Sequence, residues 1–167
     1  ATKGSAFGKI VSAYLITAYA QSYPDVKVAD YVGLGARIIA GDMAKRCIAG
    51  YQVLFSLQQT FLLPVGGVFT KDPTSGPLGA RLGENTPNDA IPSPVLIAQG
   101  ESDVAVLPEM QRHFVSARCA AGQGIDFRSY PGRDHVSVVA PDSPLVPELI
   151  QWTRDRFAGK PATSTCP

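Results

Sequence analysis

Apolar residues along this chain follow two different patterns, which divide it near residue 90. In the first part they recur at the three- and four-residue intervals of an amphipathic helix, beginning with Phe7, Ile10, Val11, Tyr14, Leu15 and Ala18. Pro24 ends this first pattern. Two further helices are predicted within 34–48 and over 51–63. The apolar side of the 34–48 helix is expected to carry Leu34, Ile38, Ile39, Met43 and Cys47.

Residues 70–93 differ in composition from both neighbouring parts. This segment is rich in Pro, Gly and Asn, which favour turns and interrupt helices and strands. We predict a connector here that holds one short helix around residues 77–84. The predicted organisation is a helical region over 1–69, the connector over 70–93, and a different kind of structure over 94–167.

The last part alternates between strand and helix patterns. Short strands are predicted over 94–99 and 124–130, and each is followed by a helix, over 107–121 and 144–158. The apolar stripe of the last helix is expected to contain Leu145, Leu149, Trp152 and Phe157. Strand–helix–strand–helix with short links is typical of parallel strands joined by right-handed crossovers, so the predicted fold class is α/β.

Two parallel strands do not make a stable sheet by themselves. They leave backbone edges unpaired, and the apolar run 95–98 is typical of a parallel sheet that is covered on both faces. We therefore expect further strands to come from another segment of polypeptide. The chain has no initiator Met and runs directly into a helical pattern, which predicts a processed or internal start.

Composition narrows the classes of function. The 167 residues include 15 basic and 14 acidic ones, for a net charge of +1, and no basic block points to nucleic acid. No apolar run reaches the roughly 18 residues that span a bilayer. No CxxC motif or Cys/His cluster is present, so no metal site is predicted. The 45% hydrophobic content is enough for a core, in one domain or in part of a larger one.

Two loops carry residues that could perform chemistry. The loop after the first strand contains Glu101, Ser102 and Asp103, and the loop after the second contains Asp134 and His135. Loops that leave the carboxyl ends of parallel strands emerge on one edge of the sheet, where ligands bind in open α/β folds. An acid and an imidazole therefore meet there if the strands are adjacent. A carboxylate bonded to one ring nitrogen leaves the other free to take a proton from a nucleophile.

Of these residues, His135 is the candidate base and Asp103 a candidate acid. Glu101 and Asp134 are rival acids, but each is expected to be a solvated loop charge. His113 lies among polar residues of a predicted helix and is expected to be a surface residue.

Glycines stand at both strand exits. Gly100 follows the first strand, and Gly132 follows the second. Tight exits from strands often need a residue that tolerates positive φ, so we expect that conformation at both glycines.

The two loops resemble a known family. "PVLIAQGESDVAV" and "YPGRDHVSVV" are similar to the acid and histidine segments of α/β-hydrolases. More narrowly, "AYAQSYP", "ARLGENTP", "CAAG" and "DRFAGKPATSTC" resemble the C-terminal half of the bacterial and fungal secretory lipases, the group that includes Candida antarctica lipase A. The resemblance covers most of residues 5–166.

The resemblance implies a serine ester hydrolase, a lipase or esterase, in which Asp103 is the triad acid and His135 the general base. Residues 1–69 would be the helical cap over the active site, whose apolar faces shape the acyl pocket, and 94–167 the C-terminal part of the hydrolase core. It also implies a disulfide between Cys119 and Cys166, a bond from Cys47 to a cysteine upstream of this chain, no cofactor, and a secreted or extracytoplasmic protein.

The nucleophile of that family is missing. The family's serine sits in G-x-S-x-G, a strained turn between strand and helix, and this motif is absent. The stretch "GSAFG" at 4–8 has the wrong spacing. We therefore expect this chain to be inactive alone, with the serine on a separate or removed N-terminal segment. The alternatives are an acyltransferase or peptidase of the same fold, or a non-catalytic binding module that lacks the nucleophile.

Overall fold

The computed structural model describes residues 4–166, which divide after Pro87 into two compact units. The first unit contains helices and turns, with one isolated bridge between Val32 and Phe69. Its helices are α1 (Ala6–Ser22), α2 (Val28–Tyr31), α3 (Leu34–Met43), α4 (Gln52–Gln59) and α5 (Gly76–Glu84). A 3₁₀ turn, Thr60–Leu62, continues α4. The mostly helical character predicted for this part of the chain is confirmed, although α3 ends five residues before the predicted limit of 48 and α2 was not predicted.

The core of the first unit is built mainly from α1, α3 and the segments around them. Its fully buried residues include Ile10, Ala13, Ile16, Tyr31, Met43 and Leu78. The Tyr31 hydroxyl donates to Ser75 O (2.8 Å) and accepts from Leu78 N (3.1 Å), which anchors the start of α5.

The predicted apolar stripe of α1 is partly wrong. Phe7 and Val11 are exposed, whereas Lys9 is buried. The Lys9 ammonium donates to Thr60 O (3.0 Å) and Leu63 O (3.3 Å). Carbonyls at the end of a helix lack partners within it, so a buried lysine can satisfy them without a carboxylate.

The helix α4 exposes its apolar residues. Its buried residue is Ser56, and Thr60 in the following turn is also buried. The exposed apolar surface of this segment contains Tyr51, Leu54, Phe55, Leu57, Phe61, Leu62 and Val65, and Phe61 is 88% exposed. No charged residue occurs between positions 47 and 70. On α3, Leu34 and Ile38 are exposed as well, contrary to the predicted stripe. Met43 of that stripe is buried as predicted, and Ala36 and Ala40 face the core with it.

The second unit contains the predicted strand–helix–strand–helix order. Its elements are β1 (Val95–Gly100), α6 (Pro108–Ala120), β2 (Ile125–Tyr130) and α7 (Leu145–Phe157), with a 3₁₀ turn at Ser137–Val139. The strands β1 and β2 are parallel neighbours, with Val95 opposite Ile125 and Gly100 opposite Tyr130. The α/β prediction is therefore confirmed, and the two strands end level with each other.

The two outer edges of this sheet differ. Along the outer edge of β2, Thr165 N donates to Ile125 O (2.8 Å) and Phe127 N donates to Thr165 Oγ1 (3.0 Å), so the C-terminal tail covers it. Within residues 4–166 the sheet has only two strands, and no strand pairs with the other edge of β1. Residues 95–98 are only half-buried rather than covered on both faces.

A charged network ties β2 to α7 and to the tail. Arg128 pairs with the buried Asp126 (2.7 Å) and with Glu148 (3.1 Å), and the Tyr130 hydroxyl donates to Glu148 (2.6 Å). Hydrogen bonds from Arg128 hold the pKa of Asp126 below its usual value. The stripe predicted for α7 is partly wrong, since Leu145 is buried but Phe157 is 90% exposed.

Among residues 4–166 no helix is long and apolar enough to cross a bilayer. The same residues contain no group of three or more His, Cys, Asp or Glu side chains placed to hold a metal ion.

Candidate functional site

Asp103 lies in the turn between β1 and α6. Its carboxylate is 5% exposed. The Oδ1 atom accepts hydrogen bonds from Ala105 N (2.8 Å) and Val106 N (2.9 Å). This Asx-type turn reverses the chain after the strand and fixes one carboxylate oxygen by backbone donors alone.

His135 lies in the corresponding turn after β2. Gly132, with φ of 71°, allows the tight exit that was predicted for it. Asp134 Oδ1 then accepts from Val136 N (3.0 Å), Ser137 N (2.7 Å) and Ser137 Oγ (2.8 Å). The turn is therefore held by its own side chains and directs the imidazole toward the sheet edge.

The structure brings Asp103 and His135 together. His135 Nδ1 donates to Asp103 Oδ2 across 2.9 Å. Burial by itself raises the pKa of Asp103, but the hydrogen bonds from His135 and from the N–H groups of Val106 and Ala105 outweigh it, so the pKa lies below its ordinary value. The carboxylate is thus ionised near neutral pH, and an ionised acceptor requires the proton on Nδ1.

The accessible side of this pair is the imidazole. His135 is 56% exposed whereas Asp103 is 5% exposed. No residue between 4 and 166 hydrogen-bonds to Nε2 of His135. This nitrogen therefore has a free lone pair, which can accept a proton from a group that approaches from solvent.

Close backbone contacts hold the two loops against each other. Ser102 N donates to Arg133 O (2.9 Å) and Glu101 N to Tyr130 O (3.1 Å). A Cβ at Gly100 would lie 2.4 Å from Arg133 O, so only glycine fits between the strand end and the histidine loop. The expectation of positive φ at Gly100 is wrong, because φ lies outside that region there and close approach is the reason for the glycine.

The rival residues have other positions. Glu101 is exposed and makes no hydrogen bond to His135. The carboxylate of Asp134 accepts bonds from its own turn, chiefly from Ser137, and these hold its pKa below the usual value. His113 is exposed on α6, as predicted. The geometry therefore favours Asp103 as the partner of His135.

Two residues that support these loops were not singled out from the sequence. Gln99, at the end of β1, is buried and bonds to both ends of the acid loop. Arg133 donates to Asp142 Oδ2 (3.0 Å) and Asp142 O (3.0 Å), which braces the histidine loop. The sequence could have pointed to Gln99, because a polar residue at the end of an apolar strand is expected to have buried hydrogen-bond partners. Arg133 offered no comparable signal.

A cavity of about 300 Å³ lies beside the pair. Its lining combines the apolar residues Ala98, Val106, Val138 and Val139 with the polar side chains of Gln99 and Gln111 and the pair itself. Ser102 and Ser137, the serines of the two loops, make no hydrogen bond to His135. The site thus holds an oriented acid–base pair without a nucleophile from either loop.

Two of the three cysteines form a disulfide, and the third is a free thiol. Cys119 on α6 and Cys166 in the tail form a disulfide, which ties the tail to the helix beside β2. Cys47, in the first unit, is free and exposed.

Comparisons with known proteins agree with this architecture. No protein-family model matches the sequence, and neither does any curated protein. The chain is similar to the X-ray structure of Candida antarctica lipase A in its closed state, with a TM-score of 0.66 and 17% identity, over 99% of this chain and 40% of the lipase. A second X-ray structure of that lipase gives the same TM-score and identity over 39% of its length. The chain thus spans about two fifths of the lipase, and its fold is that of the C-terminal α/β-hydrolase region with a helical cap.

Proposed function

We propose that this chain is the C-terminal portion of a serine ester hydrolase, a lipase or esterase, in which it supplies the acid and the base of the catalytic triad. The observation that carries the proposal is the hydrogen bond between His135 Nδ1 and the buried carboxylate of Asp103 at the carboxyl ends of two parallel strands. In an α/β-hydrolase fold the residues of the catalytic triad lie at this same edge of the sheet, so the position supports a triad role for the pair.

The chemistry follows from the free nitrogen. Nε2 of His135 takes the hydroxyl proton of a serine as the serine oxygen attacks the ester carbonyl, and then gives that proton to the leaving alcohol. A water molecule repeats the two steps, which releases the acid and restores the serine. Asp103 holds the imidazole in the required tautomer and stabilises the imidazolium that forms in each transition state.

The serine and the oxyanion hole belong to a missing partner in this proposal. Within residues 4–166 one edge of β1 has no partner strand, and the sequence lacks G-x-S-x-G. Both observations support an N-terminal hydrolase segment that carries the nucleophile and further strands. Cys47 is free and exposed, which suits a disulfide to that segment. A disulfide between Cys119 and Cys166 suits a secreted or extracytoplasmic protein.

The substrate proposed is a carboxylic ester with an apolar acyl group, such as an acylglycerol. The apolar residues in the lining of the cavity beside His135 support it, and so does the uncharged, largely exposed segment 47–70 of the first unit. The similarity to a protein named as a lipase points the same way.

The test uses the full polypeptide, or this chain in complex with the segment that carries G-x-S-x-G. His135→Ala should lower kcat on p-nitrophenyl esters by about 10⁴-fold to 10⁶-fold, and Asp103→Asn by about 10⁴-fold, because an unassisted serine is a poor nucleophile. The matched controls are His113→Ala, the other histidine, and Glu101→Gln, the neighbouring acid. Both controls should keep kcat within about 2-fold.

The outcomes separate the alternatives. Wild-type turnover in His135→Ala would remove the residue from the mechanism, and loss of turnover in Glu101→Gln instead of Asp103→Asn would reassign the acid. If the full protein neither cleaves esters nor reacts with a fluorophosphonate, it is a binding module rather than a serine hydrolase. Preference for an alcohol or an amine over water as acyl acceptor would identify the acyltransferase alternative.

A further inference from the structure

Gln99 is a buried polar residue that the proposed chemistry does not use. It is the fifth residue of β1 and is 4% exposed. A buried amide is costly unless its donors find acceptors, so its partners show why a polar side chain ends this apolar strand.

The amide nitrogen of Gln99 faces three acceptors. Nε2 donates to Gly100 O (2.8 Å) and Val106 O (3.1 Å), and Asp103 Oδ2 lies 3.5 Å away. A flipped amide would point Oε1 at three oxygen atoms, so the assigned orientation is required. The two amide hydrogens go to the two carbonyls, and the contact with Asp103 is a long third one.

The two carbonyls belong to opposite ends of the acid loop. Gly100 ends β1, and Val106 completes the turn that leads into α6. Val106 also donates its backbone N–H to Asp103 Oδ1 (2.9 Å). Gln99 therefore closes the loop at its base and holds the residue that in turn holds the carboxylate.

We propose that Gln99 is a positioning residue, which keeps the Asp103 carboxylate at hydrogen-bonding distance from His135 by tying together the two ends of the acid loop. This inference rests on the proposed function. Since the imidazole is more than half exposed, its orientation depends on the buried carboxylate. A displacement of about 1 Å in such a group can cost about 100-fold in rate.

Gln99→Met in the active full protein tests this role, because methionine keeps the length of the side chain and removes both donors. Kcat should fall by about 10-fold to 100-fold while KM stays within about 2-fold, since a misplaced acid weakens transition-state stabilisation rather than substrate binding. The proton NMR resonance of His135 Nδ1–H, shifted downfield while a carboxylate holds it, should weaken or move upfield.

The matched control is Gln123→Met. Gln123 also joins two backbone segments, by donating to Ile91 O (3.1 Å) and accepting from Ile91 N (2.8 Å), but it lies at the amino ends of the strands. Its loss should lower thermal stability without changing kcat or the Nδ1–H resonance. Should Gln99→Met fail to fold, Gln99→Asn keeps the amide but is too short to reach Val106, and its kcat decides the question.

The results separate this inference from the function on which it rests. If Asp103→Asn and His135→Ala abolish turnover but folded Gln99 variants keep wild-type kcat and the wild-type Nδ1–H resonance, Gln99 is only structural and the inference fails. If those two variants keep their activity, the proposed function fails first. Loss of kcat in Gln99→Met but not in Gln123→Met supports the positioning role.

Discussion

Gly100→Ala adds a single methyl group at the point where the two loops of the site lie closest to each other. A methyl group there would lie 2.4 Å from Arg133 O and 2.9 Å from Asp134 O. Both are backbone atoms of the histidine loop, so no side chain can rotate to make room. An ordinary contact begins near 3.4 Å, and the two loops must therefore separate by about 1 Å.

A separation of the two loops would lengthen the hydrogen bonds that join them at the site. The bond from Ser102 N to Arg133 O is 2.9 Å long, and so is the bond between His135 and Asp103. An added 1 Å takes either of them beyond hydrogen-bonding distance. We expect a loss of about 1–3 kcal/mol in the free energy of unfolding from overpacking, and of about 100-fold in kcat from the misplaced imidazole.

The assay is urea denaturation together with ester turnover of the full protein. Gly124→Ala is the control, because it adds the same methyl group before β2, where the nearest atoms belong to Ser164 at 3.8 and 3.9 Å. It should change the free energy of unfolding by less than about 0.5 kcal/mol. If Gly100→Ala matched this control in stability and turnover, the close approach of the two loops would be refuted.

Three further predictions concern the second unit and Cys47. Because the folded pKa of Asp103 is lowered, its ionised form stabilises the fold fully above the unfolded pKa of about 3.9, and this contribution is lost as the pH falls through the folded pKa. Asp103→Asn should flatten that part of the pH profile in urea denaturation, and a profile parallel to wild type would contradict it. Replacing Cys119 and Cys166 with serine should lower the free energy of unfolding by about 2–4 kcal/mol, because their disulfide joins positions 47 residues apart. Cys47→Ser should leave the unfolding of this chain unchanged, and equal losses in the two variants would argue against the disulfide. Burial, together with the hydrogen bond to a carboxylate, raises the pKa of Tyr130 to about 12, so Tyr130→Phe should remove a step near pH 12 from an absorbance titration.

The strands and the helices that flank them were predictable because their signal is local. An apolar run bounded by Pro and Gly predicted β1 within one residue of its observed limits, Val95–Gly100, and the same holds for β2. The short link that follows each strand also predicted that both loops lie on one edge. The parallel pairing of β1 with β2, in which Gly100 lies opposite Tyr130, confirms that prediction.

Burial was less predictable. Periodicity shows which residues are apolar, but not which surface covers them. Lys9 is buried because helix-end carbonyls face it, and Phe61 and Phe157 are exposed although they are among the most apolar residues. No local pattern contains that information, since it depends on neighbours far along the chain.

The sequence by itself determined that an acid-bearing loop and a histidine-bearing loop follow two apolar strands, and its motifs already resembled the C-terminal half of a secretory lipase. The resemblance implied Asp103 as the acid, but only the tertiary structure decided that its carboxylate, rather than that of Glu101 or Asp134, bonds to His135. It also decided that Gln99 closes the acid loop. The physical reason is that the facing carboxylate and imidazole are 32 residues apart. Their hydrogen bond depends on the register of β1 against β2 and on the conformations of the acid loop and the histidine loop. Composition and periodicity do not encode either of these.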